Sequence, residues 1–210
     1  MFSKELFQFL VELKFNNERP WFLKNKARYE AQLKKPMQAL VEELLPRLKK
    51  VNRGITQGRM LRIYRDVRFA KDKSPYKTNL AAQFSRLSEA EGHKPGIYLH
   101  LEPGESFVMA GVWRPEAEDL KRIRAAIQAS PRAWAPLSKM PLWGESYQRP
   151  PKGIDPGHRY LADLKRKDFL TWVEFKDKDV LGAGFAAKIE AACRRMNPLL
   201  KFLDGALGLK

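Results

Sequence analysis

Ile97-Tyr98-Leu99-His100-Leu101-Glu102-Pro103-Gly104-Glu105-Ser106-Phe107-Val108-Met109-Ala110-Gly111-Val112-Trp113 reads as two strands joined by a tight turn. Pro103-Gly104-Glu105-Ser106 is the connection, a length that hairpins use. A hairpin pairs its strands antiparallel, so the sheet built around it is mainly antiparallel.

Working outward, Leu80 to Leu87 can add a strand before the hairpin, and Phe169-Leu170-Thr171-Trp172-Val173-Glu174-Phe175 reads as a last strand after it. From Met60 the hydrophobic period is two: Leu61, Ile63, Val67 and Phe69 fall on one face, and Arg62, Tyr64, Asp66 and Arg68 on the other. Arg65 is a cation among the apolar positions, which requires a carboxylate or backbone carbonyls beside it.

The N-terminal part repeats apolar residues at helical spacing. Phe2, Leu6, Phe9, Leu10 and Leu13 form one stripe, which Asn16-Asn17 ends. A second helix starts near Glu18-Arg19-Pro20, with proline in its first turn. Pro36 marks a boundary or a third start, and Pro46 should kink or shorten the helix carrying Met37, Leu40, Val41, Leu44, Leu45 and Leu48. Pro115 opens a helix carrying Leu120, Ile123 and Ile127. Prolines and glycines between 130 and 160 predict short turns and an ordered loop. Gly182 and Gly184 lead into a closing helix, and Asn197-Pro198 starts a final short one. The expectation is a single α+β domain over 1–210: a helical part at 1–50, a strand-rich part at 59–113, and a mixed helical part at 114–210 with one further strand.

Net charge is +16. Such an excess attracts nucleic acid, anionic membrane or phosphorylated ligands, although many basic proteins merely solvate it. It is concentrated: Arg53 to Arg86 holds nine basic residues against Asp66 and Asp72. Arginine dominates the strand-like half, and its planar fork suits phosphate or carboxylate. One cysteine, Cys193, excludes an intrachain disulfide and fits a cytoplasmic protein. No apolar run approaches the roughly 20 residues that span a bilayer, so no membrane role is expected.

The candidate ligand-binding residues are Arg62, Tyr64, Arg65, Asp66, Arg68, Lys73, Tyr76, Lys77, Asn17, Arg19 and His100. Arg62 and Arg68 would contact phosphate, Lys73 and Lys77 add charge, Asp66 orient an arginine, and Tyr76 stack on a base or hydrogen-bond. Tyr98, His100 and Glu102 alternate on the hairpin strand and could meet the arginine row. The bland alternative is a salt-bridged sheet face, a plain surface loop, an Asn17 helix cap and a core Trp21 and Phe22. His93, His100 and His158 lack ligand spacing, so no metal site is assigned; Asp66, Asp72 and Glu102 would hold magnesium only if the fold brought them together. No catalytic residue or cofactor can be named.

Three stretches resemble the domain of unknown function 2461 family. They are Asn16-Asn17-Glu18-Arg19-Pro20-Trp21-Phe22 with Tyr29; Arg62 through Phe69 and Lys71 through Thr78; and Gly96 through Glu102 with Gly111-Val112-Trp113. The resemblance covers nearly the whole chain and implies a bacterial-type cytoplasmic protein, but no activity. The leading expectation is binding of a phosphate-bearing small molecule or nucleic acid on an arginine-rich sheet face. Two alternatives stand beside it. One is an enzyme acting on a phosphorylated or carboxylated substrate through Asp66, Asp72, His100 or Glu102. The other is an interaction module for an acidic protein partner. Oligomeric state is not legible.

Overall fold

A computed structural model describes residues 2–68, 71–86 and 93–209. The strand positions expected at Phe69 and Leu87 lie outside these residues.

Strands β1 (Gln57–Met60), β2 (Leu80–Ser85), β3 (Gly96–Leu101), β4 (Ser106–Val112), β5 (Leu142–Trp143) and β6 (Phe169–Phe175) form a six-stranded sheet in the order β1-β2-β3-β4-β6-β5. Each pairing between these strands is antiparallel, the β3–β4 hairpin among them. The β3–β4 turn begins one residue earlier than expected, because Ser106 already belongs to β4 and its hydroxyl bonds the Glu102 backbone. Gly111 has φ +137°, and a Cβ there would sit 1.9 Å from the Phe169 carbonyl oxygen. The β4–β6 approach therefore demands glycine.

Register divides the sheet into two faces. Ala82, Phe84, Ile97, Leu99, Val108 and Ala110 are buried together with helices α1 (Glu5–Phe15), α2 (Arg19–Tyr29) and α3 (Lys35–Val51), and with the first half of a C-terminal helix. Val112 and Phe169 continue that face into a second apolar cluster, with α4 (Ala117–Ala129), α5 (Pro131–Trp134), α6 (Leu161–Leu164) and the second half of the same helix. After α7 (Asp177–Val180), that C-terminal helix, α8 (Phe185–Leu207), runs under both clusters. The alternate residues Tyr98, His100, Phe107, Met109 and Trp172 occupy the opposite face and stay partly exposed.

Prolines break fewer helices than expected. At Pro36 the chain passes from α2 to α3 through a π-helical turn, Glu30–Lys34, without leaving the helix. The wider turn lets the Lys35 N–H reach the Glu30 carbonyl just before the proline. Pro46 lies inside α3 and Pro198 inside α8. Each interior proline costs about 3 kcal/mol. Buried residues on both sides of Pro198 (Cys193, Met196, Leu199, Leu200 and Leu203) offset that cost, so the separate final helix expected from 197 does not exist. Between 130 and 160 the expected turns are joined by the short edge strand β5.

Candidate functional site

The basic segment is not the strand that its period suggested. β1 stops at Met60, and the described residues among 61–79 make an excursion between β1 and β2. The Leu61 amide bonds the Ala81 carbonyl, but the Lys77 amide then bonds Ile63 and the Arg65 amide bonds Pro75. Ala81 and Lys77 are four residues apart where Leu61 and Ile63 are two. The return strand therefore carries Thr78 and Asn79 in excess, and the regular ladder ends there. The alternation itself survives: Ile63 is buried, while Arg62, Tyr64, Asp66 and Arg68 are exposed.

The root of the excursion is anchored by Asn17 and Tyr76. The Asn17 amide nitrogen donates to the Tyr76 carbonyl at 2.9 Å, and its oxygen accepts from the Tyr76 amide at 3.0 Å. Asn17 thus satisfies a strand's two backbone groups with one side chain instead of capping α2, whose N-cap is Glu18 with no side-chain cap bond. The Tyr76 ring is 2% exposed and stacks on Phe22 at 4.1 Å. This corrects the expectation that Tyr76 stacks on a base: its ring is core, held by a neighbour from α2. Exposed Tyr64 leans on the same pair of rings.

Arg62, Arg65 and Lys77 converge at this root. Burial pushes the Lys77 ammonium below the usual lysine value, and the charges of Arg62 and Arg65 push it further the same way. Arg65 has the expected partners: Nη1 donates to Asp72 at 2.6 Å and Nη2 reaches the Tyr76 carbonyl at 3.5 Å. Its buried Nε has no partner among the described residues. Arg62 makes no ion pair among the described residues. Arg19, exposed at the start of α2, is close enough for its charge to act on Tyr76.

Asp66, Arg68 and Lys73 lie farther along the excursion and satisfy one another and the backbone. The Arg68 fork is closed on Asp66, Nε to Oδ1 at 3.0 Å and Nη2 to Oδ2 at 2.7 Å. Those bonds hold the Asp66 carboxyl well below the usual carboxylate range. Lys73 donates to the Val67 carbonyl. Asp66 thus bonds an arginine, and the same bonds occupy the Arg68 fork.

His100 is on the second sheet face, in a chain of side chains. Its Nε2 is 3.1 Å from Glu102 and its Nδ1 is 3.3 Å from the Tyr98 hydroxyl, while its ring stacks on Phe107 at 4.7 Å. The surplus residues of the return strand complete the chain: Thr78 donates to Glu102, and the Asn79 side chain lies beside the Tyr98 phenol. The row Tyr98–His100–Glu102 therefore meets the basic segment through Thr78 and Asn79, not through the arginines. Burial raises the Tyr98 phenol above its usual value.

Asp66, Asp72 and Glu102 do not meet, and no three His, Cys, Asp or Glu side chains converge among the described residues. Cys193 is buried and its thiol is pushed up to about 12, so it stays protonated at neutral pH. No helix among the described residues is long and apolar enough to cross a membrane.

Sequence reasoning missed a groove at the other end of the second face, where Phe107, Met109, Trp143, Trp172 and Glu174 line a cavity of about 810 Å³. Phe107 and Met109 on β4, facing Glu174 and Trp172 on β6, were its available signal.

No curated protein and no solved structure matches the chain. The family described as conserved hypothetical protein (DUF2461) matches residues 5–202. The three stretches quoted above all fall in that span, and the chain belongs to the DUF2461 family.

Proposed function

We propose that the protein binds an anionic, phosphate-bearing ligand, a nucleotide or nucleic acid, at the root of the basic excursion. One observation carries this reading: Lys77, partly withdrawn from water, faces the charges of Arg62 and Arg65. Holding like charges together is unfavourable, and an anion placed among them relieves repulsion and desolvation at once. Arg62 makes no ion pair among the described residues, and Lys77 supplies an ammonium. Arg19 adds charge from α2. Asp66, Arg68 and Lys73 form a self-paired outer part that a long polyanion reaches and a mononucleotide does not.

The test is thermal shift and fluorescence anisotropy with mononucleotides, inorganic phosphate and labelled oligonucleotides, comparing the parent with Arg62→Ala plus Lys77→Ala. The expected result is a loss of at least tenfold in affinity, since charge-assisted bonds contribute about 1.5–3 kcal/mol each. Unchanged binding of every phosphate ligand would sink the reading. An oligonucleotide ligand adds a steep fall of affinity with salt. Binding only to an acidic folded protein would transfer the site to the interaction-module alternative.

A second reading rests on the hydrogen-bonded series Glu102–His100–Tyr98. A carboxylate, an imidazole and a phenol in that order can relay a proton, so the same ligand could be a substrate. Its test is turnover of phosphate esters by the parent against His100→Asn; equal rates remove it.

A further inference from the structure

The groove over β4 and β6 differs in chemistry from the basic excursion and lies toward the opposite end of the strand order from it. Met109 pairs with Trp172, Phe107 with Glu174, and Trp143 with Leu170, so one face of three adjacent strands builds its floor. Trp143 is 50% exposed. The Trp172 indole N–H donates to Glu174 at 3.2 Å, which fixes the ring beside the carboxylate. The hairpin turn closes one end, where the Gly104 amide bonds Asp177 at the start of α7.

Charge at the groove runs against that of the chain. Three carboxylates line it, from Glu105, Glu174 and Asp179, against the single cation of Lys176. Asp179 is bound to Lys188. Glu105 and Glu174 have no cationic partner among the described residues. In a protein of net charge +16, this groove repels the anions that the excursion attracts. An uncharged apolar ligand would fill the aromatic floor but leave the carboxylates idle. A cation with an alkyl shell answers both features, because ring faces are negative and a weakly hydrated ammonium loses little on leaving water.

We propose that this groove is a binding site for an organic cation, a substituted ammonium carried on an apolar body, held by the Trp172, Trp143 and Phe107 rings and by the Glu174 and Glu105 carboxylates. This goes beyond the anion-binding reading and does not depend on it. The chemistry is shared by a free small molecule such as choline and by a methylated lysine side chain of a protein.

Isothermal titration calorimetry of the full chain with choline, with its uncharged isostere 3,3-dimethylbutan-1-ol, and with a short trimethyllysine peptide tests it. Choline or the peptide should bind saturably, and about tenfold tighter than the isostere. A tighter peptide assigns the side chain as source; a tighter choline assigns the free molecule. Glu174→Gln should weaken the cation about tenfold and leave the isostere unchanged. Trp172→Ala should abolish binding, while Trp172→Phe, which keeps a ring in the strand, should retain part of it. Glu174 is exposed, so its substitution leaves the fold intact. Equal binding of choline and isostere, or no saturable heat from any of the three, overturns the proposal.

Discussion

The basic excursion and the aromatic groove stand at opposite ends of one sheet and are built by different means. The excursion is built from one segment: its converging cations run from Arg62 to Lys77 and are arranged by a two-residue surplus on the return strand. The groove is a register object, since its aromatic residues come from three strands and meet only because β6 is inserted between β4 and β5. The first concentrates like charge on an element held by few backbone bonds. The second places rings and carboxylates on a continuous ladder. A charged site tolerates a sparsely hydrogen-bonded support because Coulomb attraction is long-ranged, whereas ring contacts decay within an ångström or so.

That comparison breaks most directly at the anchor. Tyr76→Ala removes a buried ring stacked on Phe22 and should cost ~4 kcal/mol of unfolding free energy in urea denaturation. It should also abolish phosphate binding, since the root loses its geometry, while leaving binding at the groove unchanged below the new melting temperature. Asn17→Ala strands two backbone groups of Tyr76 and should cost about 2 kcal/mol, read by the same measurement. Faster amide exchange confined to residues 61–79 would mark the excursion as the region released. Loss of protection spread evenly over the sheet would show that the excursion is not a separate unit.

Lys77→Met sharpens the electrostatic half of the comparison with a smaller effect of opposite sign. The folded-state pKa of Lys77 is depressed, so its charged form destabilises the fold at every pH where folded and unfolded chains are both protonated. Stability contributed by this residue therefore rises as pH climbs from the depressed value toward the ordinary lysine value of about 10.4. The variant should be more stable than the parent at pH 7, and the advantage should vanish above that ordinary value. It should bind phosphate ligands more weakly. An advantage that persists at high pH would assign the gain to packing instead.

Arg68→Ala is the smallest expected change. Its ion pair with Asp66 is exposed, so melting temperature should not move measurably. Binding of a mononucleotide should also be unaffected, and binding of a long oligonucleotide should fall slightly. A large loss with the mononucleotide would place the ligand at the outer part of the excursion instead of its root.

Much of the fold was legible because it rests on short-range pattern. The hairpin turn, the period of two through Arg62–Arg68, the proline at the start of α2 and the need of Arg65 for a carboxylate all follow from neighbouring residues. Helix continuity through Pro36, Pro46 and Pro198 was not legible, because the burial that outweighs each proline is supplied by distant strands and helices. The site shows the same division. Which residues are cationic is plain in the chain, but Arg68 spends its fork on Asp66 and Tyr76 its ring on Phe22, both decided by packing.

By itself, then, the amino-acid order determined an antiparallel sheet with helices at both ends, a basic exposed segment and its inward and outward residues, since side-chain direction along a strand depends only on backbone geometry. Only the tertiary structure decided that Asn17 clamps a backbone 59 residues away, that Thr78 and Asn79 tie the excursion to the Tyr98–His100–Glu102 series, and that an acidic aromatic groove exists in a basic protein. These join residues far apart in sequence, and their meeting is set by strand order and register, which no local pattern encodes.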